Sequence, residues 1–121
     1  MSESSENIQI DEQQQLNWCL NKAREASEQD VQDIIYPISV EDITSVIENN
    51  PKIFLPRIQE DFKPVIYLIT QVIGEASQKP QTIGETASIL KNDKRFNDAQ
   101  KKNFNTLIRF LYAAKLKEAL N

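Results

Sequence analysis

Histidine is absent from these 121 residues, and cysteine occurs once, as Cys19. The missing histidine removes the commonest general base and the commonest metal ligand. One cysteine without histidine leaves no credible structural zinc site and no Cys–His nucleophile pair. An intrachain disulfide cannot form, which points to a reducing compartment. Glycine is nearly absent too, with Gly74 and Gly84 alone. Neither G-x-x-x-x-G-K-[ST] nor G-x-G-x-x-G can be read anywhere, so no phosphate loop is expected. So few glycines also argue against a turn-rich sandwich or barrel. The stretch Asp93 to Asp98 lacks the spaced ligands and central glycine of a calcium loop. No window approaches the roughly 18 apolar residues of a membrane span. The opening MSESSENIQIDEQQQ has neither the basic and apolar regions of a secretory signal nor the basic residues of a transit peptide. No N-x-S/T sequon occurs. The expectation is a cytoplasmic or nuclear protein with no cofactor, no metal and no catalytic residues of its own.

Apolar residues make up 40% of the chain and nine residues are aromatic, enough for a packed core in a single domain. Net charge is −4, unevenly placed. Residues 1 to 50 hold eleven acids against Lys22 and Arg24, whereas residues 51 to 121 hold twelve bases against seven acids. The two halves either complement each other within the fold or meet differently charged surfaces. Overall acidity argues against a nucleic-acid partner.

The hydrophobic pattern predicts an all-α fold, a compact bundle of five to seven short helices over residues 11 to 121, behind a disordered acidic tail at 1 to 10. A first helix after Asp11 carries Leu16, Leu20 and Ala23 on one stripe, with Cys19 and Ala26 beside it and Trp18 off its centre. Ser27 caps a second, short helix, with Asp30 three positions on and Val31, Ile34 and Ile35 as its apolar face; Pro37 ends it. Ser39 caps a third, with Val40, Ile43, Val46 and Ile47 inward, and Asn49, Asn50 and Pro51 stop it. Ile53, Phe54 and Leu55 form an apolar bridge between Pro51 and Pro56. From Pro56, either one helix runs past Pro64 or a new one starts near residue 62. Val65, Ile66, Ile69, Val72 and Ile73 share its face in both cases. Thr82 with Glu85 and Asn97 with Gln100 mark two further starts. The last helix aligns Phe104, Leu107, Ile108, Leu111 and Ala114. No run alternates cleanly enough for a strand.

The neighbouring carboxylates Glu41–Asp42 and Glu60–Asp61 point about 100° apart on a helix, so neither pair shares a site. Cys19, beside an apolar stripe, reads as a buried small hydrophobe with only Lys22 near enough in sequence to lower its pKa. What remains is surface. Trp18 and the Ile53-Phe54-Leu55 segment are the candidate anchors of a docking face, with burial in the core as the competing reading for such large apolar residues. Glu28, Asp30 and Asp33 form an acidic patch. Lys91, Lys94, Arg95, Lys101 and Lys102 form a basic one, interrupted by Asp93 and Asp98 and suited to an acidic protein or an anionic lipid surface. The leading expectation is a non-catalytic helical module that binds protein partners, an adaptor or small subunit of a larger assembly. An immunity-type inhibitor of one enzyme and a lipid-surface binder are the alternatives.

The helix VIYLITQVIGEAS, the turn-helix TIGETASIL and the closing NDAQKKNFNTLIRFLYAAKLKEAL, in that order, resemble the helical N-terminal domain of COMM-domain proteins. Those domains are small all-helical units of copper-, NF-κB- and trafficking-linked scaffold proteins. The likeness begins near residue 62, covers half the chain, and is one of pattern and order rather than of a diagnostic motif. It implies an all-helical fold and a scaffold-type role and supplies no site residues. The COMM domain that follows in that family and mediates its assembly finds no counterpart in these 121 residues.

Overall fold

The computed structural model describes residues 3 to 120; the side chains of residues 3 to 12, Gln15 and Leu120 are outside the description. Six helices follow one another: α1 (Glu3–Glu25), α2 (Glu28–Ile34), α3 (Asp42–Asn49), α4 (Pro56–Glu75), α5 (Ile83–Lys91) and α6 (Asp98–Leu120). Among the described residues no strand forms, only one isolated antiparallel bridge between Ser39 and Thr82. α1 begins earlier than the periodicity suggested. The expected tail at 1 to 10 overlaps its first turns, with Met1 and Ser2 outside the described residues.

The helix ends follow local chemistry. Ser27 and Asp30 close a full capping box on α2: the Asp30 N–H donates to Ser27 Oγ at 3.1 Å, and the Ser27 N–H donates to Asp30 Oδ2 at 3.2 Å. At α5 the box is half made. The Glu85 N–H donates to Thr82 Oγ1, while the Glu85 carboxylate accepts from the Gln81 N–H instead. Asn97 Oδ1 accepts from the Gln100 N–H at 2.9 Å and starts α6. α4 runs unbroken from Pro56 with Pro64 inside it. Pro64 is exposed, so water can reach the Glu60 carbonyl that loses its helical donor there.

Two expectations need correction. Ser39 does not cap α3, whose N-cap is Glu41. Ser39 is drawn into backbone pairing with the segment before α5: Val40 N–H donates to Gln81 O, Ile83 N–H to Ile38 O, and Gly84 N–H to Tyr36 O. Its hydroxyl accepts from the Glu41 N–H at 3.3 Å, two residues before the N-cap of the helix. Ile34, expected on the apolar face of α2, is 42% exposed, because a seven-residue helix has one buried stripe and Val31 with Ile35 occupy it.

α6 is the hub and packs against α1, α2, α3 and α4, while α5 packs on α4. Its stripe of Phe104, Leu107, Ile108, Leu111 and Ala114 is buried as the periodicity required, together with Ala113. Phe110 meets Phe62 edge-on at 5.3 Å and Phe54 at a tilt at 6.1 Å, joining α4 and the bridge before it to α6.

The two glycines give a paired test. A Cβ on Gly74 would meet nothing within 4 Å, whereas one on Gly84 would stand 3.3 Å from both Cβ and the carbonyl oxygen of Tyr36. That oxygen is pinned by the Gly84 N–H at 2.9 Å. Gly74→Ala should therefore stabilise by about 0.5 to 1 kcal/mol through helix propensity. Gly84→Ala should destabilise by about 1 to 3 kcal/mol through overpacking. Urea melts of the two variants check the opposite signs.

Candidate interaction site

Trp18 projects from the last third of α1 and is 43% exposed, the largest exposed side chain of its half. It overhangs a depression of about 270 Å³ lined by Lys22, Glu25, Asp30, Tyr112 and Leu116. Two residues nominated from the sequence, Trp18 and Asp30, thus meet at one place. A third, Glu28, lines a separate depression of about 150 Å³ between α2 and α6, with Tyr36, Asn105 and Arg109. Burial, and secondarily the charge of Glu28, push the Tyr36 phenol above its ordinary pKa. Asp33 is exposed on α2 and accepts from Gln29 Nε2 at 2.8 Å. Asp30 is not simply a surface charge, since it also holds the α2 cap.

The residue that builds this corner was not singled out in the sequence. Arg109 on α6 donates from Nη1 to the carbonyls of Ala23 and Ala26, both at 2.7 Å. Ala23 sits in the last turn of α1 and Ala26 just past its end, where carbonyls have no helical donor of their own. One guanidinium therefore ends α1, fixes the turn into α2 and ties both to the hub helix. The signal available was a cation amid Leu107, Ile108, Phe110 and Leu111, an apolar run that a solvated arginine would avoid.

Lys22, the one cation near Cys19 in sequence, is placed over the Trp18 ring, and the cation that acts on the thiol is Lys117. The Lys22 Nζ sits 5.5 Å from the Trp18 ring centroid, a cation–π placement. Cys19 is fully buried, and burial pushes its thiol up, offset in small part by Lys117 of α6. A raised thiol with no exposed surface makes a poor nucleophile.

Phe54, nominated as an exposed anchor, is 1% exposed. The bridge folds inward because the Asn50 carbonyl accepts from the Phe54 N–H at 2.9 Å and Gln59 Nε2 donates to the Phe54 carbonyl at 2.7 Å. Phe54 instead forms wall, with Ile43, Ile47, Phe62 and Ile66, of an apolar groove of about 500 Å³ between α3 and α4. Leu55, beside it, carries the exposure at 45%.

The basic patch is also divided. Lys91, Lys94, Lys101 and Lys102 are exposed, but Arg95 is committed. Its guanidinium reaches both Glu75 oxygens at 3.1 and 2.7 Å and both Asp93 oxygens at 3.0 and 2.8 Å, clamping the end of α4 to the loop before α6. Arg95 holds the Asp93 carboxyl down to about 2 and lowers Glu75 as well. A carboxyl lowered by folding adds stability above its unfolded pKa near 4 and loses it as pH falls towards 2. Arg95→Gln should raise the Asp93 pKa from about 2 into the ordinary carboxylate range near 4, read by NMR titration. An unmoved Asp93 would show that the backbone N–H of residue 95 holds it down unaided.

The four ion pairs between described residues, Lys63–Glu60, Arg95–Glu75, Arg95–Asp93 and Lys115–Glu118, all join residues of the second half. Among the described residues no three His, Cys, Asp or Glu side chains gather as metal ligands, and no helix is long and apolar enough to cross a membrane. No family model, curated protein or solved structure matches this chain.

Proposed function

We propose that this chain is a non-catalytic protein-interaction module, an adaptor or small subunit of a larger assembly, which docks its partner through the corner where α1 meets α2. One observation carries the reading: an exposed tryptophan overhangs a depression flanked by the carboxylates of Glu25 and Asp30, in the acidic half of the chain. Exposed tryptophans are costly to leave in water and are enriched where partners bind most tightly. The corner is pre-shaped by Arg109, which lowers the ordering cost of docking. The resemblance to helical domains of scaffold proteins points the same way. A lipid-surface role for the basic patch is weakened by the engagement of Arg95 with two carboxylates.

The test is affinity purification of the full chain from its native cell with quantitative mass spectrometry, comparing wild type with Trp18→Ala and Thr44→Arg. Thr44 is exposed on the α3–α4 groove, so the arginine blocks that face instead. Partners should be retained with Thr44→Arg and lost with Trp18→Ala. The reverse pattern would move docking to the groove, and no stoichiometric partner in any sample would sink the module reading.

A further inference from the structure

We infer that the Trp18 depression is a receptor for an arginine or lysine side chain of a basic partner segment, and that Lys22 is a built-in competitor that must leave the ring for the partner to bind. This rests on the reading of the corner as a docking face and names the chemistry of its occupant. The first ground is that a cation already sits there. Lys22 Nζ lies 5.5 Å from the Trp18 centroid, and among the described residues no carboxylate pairs with it. A tryptophan face is the best aromatic attractor of cations. The second ground is the unspent charge around it. Glu25 makes no hydrogen bond or ion pair among the described residues, and Asp30 is engaged only with its own helix cap. Glu28 and Asp33 continue the acidic surface along α2, and Lys22 and Arg24 are the only cations of the first fifty residues. The third ground is shape. Tyr112 and Leu116 of α6 supply an apolar floor, against which the methylene stem of an incoming arginine or lysine can lie while its charge stays at the carboxylates. An acidic or purely apolar partner would leave those carboxylates desolvated and unpaired.

Trp18 is the only tryptophan, so its fluorescence reports this site alone. The full chain is titrated with octa-arginine and with octa-glutamate, and calorimetry covers variants that lack the fluorophore. Octa-arginine should shift or quench Trp18 emission saturably, weaken as salt rises, and bind Trp18→Ala at least about fivefold less tightly. Octa-glutamate should do nothing. Glu25→Gln should loosen octa-arginine about two- to fivefold. Lys22→Gln should tighten it about two- to fivefold, because the competitor is gone. Arg24→Gln removes the same charge without touching the ring and should tighten it less than twofold. Equal tightening by Lys22→Gln and Arg24→Gln would overturn the competitor role and leave only general electrostatics. No change in Trp18 emission with octa-arginine, while Trp18→Ala still loses the native partner, would overturn the basic occupant and leave the docking face standing.

Discussion

Phe54→Ala is expected to cost about 3 to 5 kcal/mol of folding stability, a large share of the roughly 5 to 15 kcal/mol that a domain of this size holds. The ring is 1% exposed and is held on two sides. Phe110 meets it at 6.1 Å and itself packs edge-on against Phe62 at 5.3 Å, so removing one ring strips contacts from a three-ring cluster. The backbone cannot follow the loss inward. The Phe54 N–H is bonded to the Asn50 carbonyl and the Phe54 carbonyl to the Gln59 side chain. Asn50 in turn is fixed through Nδ2 to the Val46 carbonyl at 2.7 Å and to Glu118 at 3.3 Å. A pinned backbone leaves the cavity open, and open cavities sit at the high end of truncation costs. The measurement is a urea melt, with the midpoint lowered and the slope unchanged. A loss below about 1 kcal/mol, with native partner binding abolished, would return Phe54 to the role of surface anchor.

The fold was legible because helical periodicity and capping are local. The Leu107–Leu111 stripe, the Ser27–Asp30 box and the Asn97–Gln100 start need only a few consecutive residues to read. What failed was decided by distant partners. Ser39 has the chemistry of an N-cap, but residues 81 to 84 claim its backbone. Phe54 could be read either as an anchor or as core, and it is Gln59 and Asn50 that turn the bridge inward and decide for core. Arg95 reads as part of a basic surface until Glu75, twenty positions earlier, comes to face it. The candidate site was half legible for the same reason. Residue type marked Trp18 and Asp30 separately, and only the α1–α2 corner, held by Arg109 across more than eighty positions, brings them to one depression.

Leu111→Ala should cost about 3 to 5 kcal/mol, in the upper part of the usual range for a buried leucine. The side chain is 2% exposed and lies among Ile38, Ile43, Val46 and Ile83, which come from the segment after α2, from α3 and from the start of α5. A cavity between separate elements closes only if those elements move together, and here they are tethered. The Ile38 carbonyl accepts from the Ile83 N–H at 2.9 Å, and the Val40 N–H donates to the Gln81 carbonyl at 3.0 Å. The lost methylenes would therefore be replaced by empty space rather than by relaxed neighbours, so the cavity cost adds to the lost transfer energy. Leu111→Met keeps the volume and should cost less than about 1.5 kcal/mol. A chevron analysis would place the loss between folding and unfolding rates. As α6 packs on four other helices, a substantial part should appear as slower folding. If Leu111→Ala cost under about 0.5 kcal/mol, the stripe of α6 would be an exposed binding face instead of the core, and the bundle would have to close around a partner.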